Sequence, residues 1–255
     1  VSFLTVAVWW AVFSLPLLLR VPEPPRRLLA GESGAASATA AAARRLRGTF
    51  GELRRYRHLL RFLLAYWLYI DGVGTIIKLA TIYGSEIGIG ASALIGALLL
   101  AQFVGIPFTF AFGALAARAG VQAGLYVALA GYAVISVCAY FVREAWHFWA
   151  LAVAVATVQG GAQALSRSLF ASMIPAAKSS EFFSFFSVFE KFAGIMGPAL
   201  FGLIAQLTGT SRAGIATLVV FFLGGMALLA RVDVAEGRRA ALREDTELHP
   251  AGPAL

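Results

Sequence analysis

The stretch LLRFLLAYWLYIDGVGTIIKLATIY, residues 59–83, is long and apolar enough to cross a membrane as a helix, yet it carries Asp71 and Lys78. A helix needs about 20 apolar residues to span the hydrocarbon core. A charged side chain at that depth costs roughly 2.5–3.5 kcal/mol on insertion scales, so such residues are rare and usually functional. The spacing of this pair puts both residues on one face of the helix, about two turns apart.

Composition extends this conclusion to the whole chain. Hydrophobic residues make up 60% of the sequence and charged residues 13%, and the mean hydropathy is +0.79. Soluble domains carry about 25% charged residues. The sequence therefore predicts an all-α membrane protein with seven spans, at residues 1–19, 59–83, 93–116, 122–142, 146–165, 183–207 and 213–230.

The positive charges fall on one side of these spans. Seventeen of the 21 Lys and Arg residues lie in the segment from Arg20 to Arg61, in the loops on the same side, or in the C-terminal tail, whereas the opposite side holds only Arg143 and Arg212. Cytoplasmic loops carry such an excess. We therefore expect a multi-pass protein of the cell membrane, with the 21–58 loop and the C-terminus cytoplasmic. The same asymmetry argues against nucleic acid as a partner.

Four segments follow from these patterns. Residue 1 is Val inside an apolar run, so we interpret residues 1–20 as the last helix of an N-terminal half that precedes this sequence. Residues 21–58 form a cytoplasmic linker, which ends in a basic amphipathic helix over 44–61 that lies on the anionic leaflet or binds a partner. Residues 59–231 contain six spans, and the polar tail 232–255 is predicted to be disordered.

Polar residues are confined to particular spans. The second and third spans carry Asp71, Lys78 and Gln102, and the fifth and sixth carry Gln159, Gln163, Glu190 and Lys191. The first, fourth and seventh spans carry no charge. In the major facilitator fold each half contains two three-helix repeats around a central site, and the first two helices of each repeat face the cavity. The pattern predicts that fold, with the last helix of the N-terminal half followed by the six-helix C-terminal half.

Two charged residues on the second span are candidates for the transport pathway. Asp71 is about 18 Å into its span, near the midplane where such transporters bind solutes. It can exchange a proton or line the cavity, or instead form a structural contact. Lys78 can bind a substrate carboxylate, or neutralise a carboxylate on another span.

The other candidates lie on the third, fifth and sixth spans. Gln159, Gln163 and Arg167 follow one another at one-turn spacing and share a helix face. We predict that Arg167 pairs with Glu190 to close the cytoplasmic side of the cavity, while snorkelling to the headgroups is the alternative for Arg167. Gln102 lines the cavity or bonds across helices. Gly194, Gly197, Pro198 and Gly202 predict a kink in the sixth span, with close helix packing as the alternative role of the glycines.

Several strings resemble known transporters. GALAARAGVQ (113–122) is similar to the cytoplasmic loop motif of major facilitators at Gly113, Arg118 and Gly120, although Ala117 stands where the motif has an acid. YIDGVGTIIKLATIYGSEIGI (69–89), QGGAQALSRSLFASMIP (159–175) and EFFSFFSVFEKFAGIMGP (181–198) resemble the vacuole-effluxer-like branch of that superfamily. The resemblance implies a secondary transporter with amino-acid efflux as one expected activity.

We therefore predict an alternating-access transporter of small polar solutes, with proton coupling as a hypothesis. Its expected partners are the lipid bilayer, a small-molecule substrate and the N-terminal half. A non-transporting sensor or scaffold on the same fold is the alternative. One cysteine, Cys138, and three scattered histidines predict no metal site, no cofactor and no enzymatic cluster. The seventh span lacks the lysine that a retinal protein needs.

Overall fold

The computed structural model describes residues 2–21 and 56–248. The chain divides into two units, residues 1–44 and 45–255. The described part of the first unit is one helix, α1 (Ser2–Arg20), with Pro16 inside it and Arg20 in its last turn. Its 19 residues give a length of about 28 Å, which suits a membrane span.

The second unit contains nine α-helices among its described residues, together with a 3₁₀ turn at Ala176–Lys178. In chain order the α-helices are α2 (Arg57–Glu86), α3 (Ala91–Ala119), α4 (Val121–Ala139), α5 (Ala145–Ala171), α6 (Ser179–Phe192), α7 (Met196–Thr208), α8 (Ser211–Thr217), α9 (Val219–Leu229) and α10 (Val234–Leu248).

Seven segments of the described residues are long and apolar enough to cross a membrane, which confirms the predicted number of spans. The fifth span runs to Ala171, beyond the predicted end at residue 165. The sixth span is made of two helices, α6 and α7, and the seventh of α8 and α9. The fold class predicted from the sequence, an all-α membrane protein, is thus observed.

Helix α2 lies at the centre of the second unit and packs against α9, α7, α6 and α5. Its buried face carries aromatic rings, including Phe62, Tyr66 and Tyr69. The Tyr66 ring stacks on Phe186 of α6 with 4.3 Å between ring centroids. Apolar burial of this kind stabilises the unit whatever the surrounding solvent, because close packing of rings supplies dispersion energy.

Helices α3 and α5 approach each other at glycines, as the sequence indicates. A Cβ on Gly160 would overlap the Thr109 hydroxyl, and one on Gly161 would overlap the Phe112 ring. Small residues let helix backbones come close, and in lipid that contact is the main source of helix association. Adding a methyl group at either glycine therefore requires the two helices to separate.

The tail differs from the sequence prediction. Residues 234–248, predicted to be disordered, form α10. The Lys178 ammonium pairs with Glu244 at 2.7 Å, the Ala176 backbone N–H donates to Asp245, and Tyr56 bonds Glu244. These contacts to the loop between α5 and α6 order a segment whose composition alone is too polar to form a core. Residues 249–255, and the part of the predicted amphipathic helix over 44–55, lie outside the described residues.

Candidate functional site

The sixth span is interrupted between α6 and α7. Residues Ala193 to Ile195 connect the two helices, and Gly194 has φ +103°, a conformation that favours glycine. Pro198 is the third residue of α7, where its missing N–H costs no intrahelical bond. The interruption lies at Gly194, the first of the residues from which a kink is predicted, and before Gly197 and Pro198.

Asp71 of α2 points into this interruption. Its Oδ1 accepts the backbone N–H groups of Gly194 at 2.9 Å and Gly197 at 3.0 Å, and its Oδ2 accepts that of Met196 at 3.0 Å. The residue is 1% exposed. Met196 and Gly197 open α7, so the carboxylate satisfies N–H groups that a helix start leaves without intrahelical partners. Its negative charge also complements the positive end of the helix dipole.

Thr75 and Gly197 make this approach possible. The Thr75 hydroxyl, one turn after Asp71, donates to the Asp71 carbonyl at 2.7 Å. A Cβ on Gly197 would overlap that hydroxyl and lie 2.8 Å from Asp71 Oδ1. Only a residue without a side chain lets α7 start this close to α2. The sequence offered one signal for Thr75, its one-turn spacing from Asp71 on the same helix face.

Lys78 reaches the same interruption from the exposed side of α2. Its Nζ lies against Gly194, where an added Cβ would be 2.7 Å away. Throughout residues 56–248, Lys78 has no ion pair, and it does not pair with Asp71. Asp71 and Lys78 therefore both contact the chain around the start of α7. Asp71 is buried there, whereas Lys78 is exposed.

Arg167 and Glu190 are brought together as the sequence predicts. Arg167 Nη2 lies 3.4 Å from Glu190 Oε1, with the two side chains 61% and 38% exposed. The pair joins α5 to α6 beside the Tyr66–Phe186 stack, since Phe186 is one turn before Glu190. The pairing is observed, and its role as a cytoplasmic gate stays a prediction.

The three candidate glutamines, Gln102, Gln159 and Gln163, do not all line the same cleft. Gln102 of α3 and Gln159 of α5 line one cleft, whose empty volume including its open mouth is about 710 Å³. The rest of its lining is mostly apolar and includes Ile76, Tyr83 and Phe148. Gln163 is exposed one turn beyond Gln159 and outside that lining. The cleft thus offers two amides in an apolar wall.

The loop motif lies at the end of α3. Arg118 is in the last turn of the helix, and Gly120 ends it with φ +92°, donating its N–H to Ala116 at 2.9 Å. That conformation explains why the motif has glycine there. Gly113 lies inside α3 with open space around its Cα. No acidic residue stands at Ala117, so the motif here acts as a helix stop.

One side-chain hydrogen bond between spans is not predicted from the sequence. The Tyr69 and Ser166 hydroxyls are 2.6 Å apart and buried between α2 and α5. A serine and a tyrosine in apolar helices give little sequence signal, because the serine can bond its own helix backbone, as it does at the Ala162 carbonyl, and the tyrosine can pack as an aromatic ring. In the described ranges, 2–21 and 56–248, no group of His, Cys, Asp and Glu could hold a metal ion.

Seven spans, an interrupted helix and a polar face limited to particular helices define a multi-pass membrane protein of the major facilitator kind. The sequence model described as vacuole effluxer Atg22 like matches residues 1–242. The chain belongs to that family.

Curated relatives agree with this assignment. The uncharacterized MFS-type transporter YxiO of Bacillus subtilis is 44% identical over 231 residues, which are 91% of this chain and 53% of the relative. Autophagy-related protein 22-1 of Aspergillus niger is 27% identical over 95% of this chain and 43% of its own length. Autophagy-related protein 22 of Saccharomyces cerevisiae is 24% identical over 94% and 52%. The chain spans about half the length of the curated relatives it matches.

Proposed function

We propose that the chain supplies one half of the solute pathway of a secondary transporter that works by alternating access and moves small polar solutes, with amino-acid efflux as its activity. The main support for this proposal is the Arg167–Glu190 pair, which is exposed although both residues lie within apolar helices. Charged groups at such depth face a protein interior or a water-filled cavity instead of lipid. The face that bears the pair is therefore the face toward the pathway.

The other polar groups of these spans support the same face. Lys78, Gln102, Gln159 and Gln163 come from α2, α3 and α5, whereas α4 and α9 carry no charged residue. In a facilitator the pathway lies between two halves. The partner surface for these side chains is then the N-terminal half, consistent with relatives about twice as long as the chain.

We place the C-terminus and the 21–58 loop in the cytoplasm of a cell-membrane protein. The support is the distribution of Lys and Arg over the loops. In that orientation α5 ends, and α6 begins, at the cytoplasmic side. Arg167, four residues before the end of α5, and Glu190 then lie in the cytoplasmic half of the membrane, where an ion pair can close the pathway.

Proton coupling belongs to the proposal, and Glu190 is the carboxylate that supports it best. Asp71 is enclosed by three backbone N–H donors, whereas Glu190 is partly exposed and held by a single cation. Protonation of Glu190 removes the attraction to Arg167 and opens the pair.

The test is uptake and efflux of a panel of radiolabelled amino acids by the complete protein in liposomes, over a range of pH. We expect transport of at least one amino acid, and we expect Glu190→Gln to lose the pH dependence. Glu181→Gln, on the same helix but in its first turn, is the matched control and keeps wild-type behaviour. Binding without transport for every amino acid would contradict the proposal and favour a sensor.

A further inference from the structure

The two halves of the sixth span are held in the molecule by different kinds of contact. We propose that Asp71 is a positioning residue that fixes α7 to α2, while α6 tilts about Gly194 and carries Glu190 with it. The link to the gate rests on the proposed function. The structural part, a fixed α7 and a movable α6, concerns this chain alone.

Directional bonds hold α7. Three N–H groups within four residues converge on the Asp71 carboxylate, one from the connecting segment and two from the first turn of α7. Charge-assisted bonds of this type are short and strong. Burial of Asp71 excludes water that would otherwise replace them. A second contact fixes the other side of α7, where Gly214 of α8 lies against the Phe201 carbonyl.

Apolar rings hold α6. Phe186 stacks on Tyr66 and packs beside Phe170 with 4.6 Å between centroids. Phe182 meets Tyr56 edge to face at 5.6 Å. Ring packing rests on dispersion and weak quadrupole contacts, which constrain α6 less tightly than three charge-assisted hydrogen bonds constrain α7. The polar tie from α6 to α5 that the structure shows in this region is the exposed Arg167–Glu190 pair, and exposed pairs contribute little.

Gly194 lies between α7, which is held by hydrogen bonds, and α6, which is held by ring contacts. Its φ of +103° is open to glycine and strained for other residues. Its N–H is bonded to Asp71, which fixes the connecting segment on the α7 side. Rotation about the bonds that precede it changes the direction of α6 without moving α7. Hinges in transporters and enzymes are residues of this type at the ends of elements.

Two glycines of α7 provide matched variants. Gly197→Ala keeps the Asp71 carboxylate but places a methyl group against Thr75 and Asp71, so it pushes the start of α7 away. Gly202→Ala adds the same methyl group on the same helix, where nothing lies within 4 Å. Loss of the Asp71 contact should therefore follow from Gly197→Ala and not from Gly202→Ala.

The measurement is pulsed electron–electron distance spectroscopy on the complete protein in liposomes, with Cys138→Ser and any other cysteines removed. One label pair joins α7 to α2 through the exposed residues Leu203 and Ile82. The other joins α6 to α5 through Ser187 and Ser168, which are also exposed. We expect a single narrow α7–α2 distance in the parent protein at all pH values, and an α6–α5 distance that changes with pH.

Asp71→Ala and Gly197→Ala should each replace the narrow α7–α2 distance by a broad distribution, and Gly202→Ala should leave it narrow. A narrow α7–α2 distance in Gly197→Ala would overturn the proposal, as would an α6–α5 distance that is equally narrow at every pH. If Asp71→Ala does not insert, Gly197→Ala decides alone, because it keeps the charge. These distances are measured whether or not an amino acid is transported, so the proposal can fail separately from the proposed function.

Transport adds a readout that distinguishes positioning from proton exchange. Asp71→Asn keeps one oxygen that can accept the Gly194 and Gly197 N–H groups, so we expect it to recover part of the rate lost in Asp71→Ala and to keep the pH dependence. If Asp71 instead exchanges the proton, Asp71→Asn loses pH dependence while Gly197→Ala retains it. That result would contradict the positioning role.

Discussion

Asp71, in the middle of α2, and Glu190, in the last turn of α6, are both acidic residues of the described spans, and their surroundings are opposite. Asp71 is 1% exposed and accepts three backbone N–H groups. The Glu190 side chain is 38% exposed and faces one arginine at 3.4 Å. The comparison separates two uses of a carboxylate in an apolar helix: one organises the backbone of a neighbouring helix, and the other forms a partly exposed ion pair.

The largest expected effect is that of Asp71→Ala on stability. Three N–H donors lose their acceptor, that of Gly197 buried and those of Gly194 and Met196 part-buried, and each unsatisfied buried donor costs about 1–3 kcal/mol. We expect the free energy of unfolding to fall by about 3 kcal/mol or more, measured by reversible denaturation in mixed micelles. Glu190→Ala, measured under the same conditions, is the control. Equal losses in the two variants would remove the distinction between the two carboxylates.

A smaller effect is expected from Thr75→Val. The change removes the hydroxyl that donates to the Asp71 carbonyl but keeps a side chain of similar shape beside Gly197. Since that carbonyl also belongs to the helix ladder, we expect a loss of about 1 kcal/mol in the same unfolding measurement. Thr75→Ser, which keeps the hydroxyl, should lose less of the hydrogen-bond contribution. A loss as large as that of Asp71→Ala would shift the main role from the carboxylate to Thr75.

Glu190→Gln should change stability still less. An exposed ion pair contributes about 0–1 kcal/mol and is screened by salt. We expect an unfolding free energy within about 1 kcal/mol of the parent, and a difference that shrinks as the salt concentration rises. A loss that is large and independent of salt would show that the pair is structural, and would weaken the contrast with Asp71.

The smallest effect is expected at Asp233, a carboxylate that repeats the geometry of Asp71 in water. It accepts the Glu236 backbone N–H at 2.9 Å at the start of α10, and this bond lowers the pKa of the Asp233 carboxyl below its ordinary value. The unfolded segment therefore binds the proton more tightly. The contribution of the cap is complete above the ordinary pKa of about 4 and is lost as pH falls through the lowered pKa.

Amide hydrogen exchange at residues 234–237 measures this cap. We expect Asp233→Ala to speed exchange there, and Asp233→Asn, which also caps helices well, to speed it less. Helix α10 should stay docked in both variants, because Lys178, Glu244 and Asp245 hold it elsewhere. Undocking of α10 in Asp233→Ala would contradict this expectation. It would show that the exposed hydrogen bond of Asp233, and not the contacts of Lys178, Glu244 and Asp245, holds α10 in place.

Much of the fold could be predicted from the sequence. The long apolar runs specify the seven spans, because each must satisfy its backbone within itself in lipid. The pairing of Arg167 with Glu190 could also be predicted, since opposite charges in adjacent apolar helices attract each other and an unpaired charge there is costly. The helical tail was predicted incorrectly, because its order comes from contacts with Lys178 and Ala176 that its own composition does not reveal.

Asp71 and Lys78 stand out in the sequence alone, because a charge within an apolar helix needs compensation. The groups that compensate the Asp71 carboxylate come together only in the folded chain. The start of α7 is 125 residues from Asp71 along the chain, and no local pattern indicates that a glycine there would bring three N–H groups to its carboxylate. Helix spans follow from local hydrophobicity, whereas the partner of a buried charge depends on which distant backbone the fold brings within 3 Å.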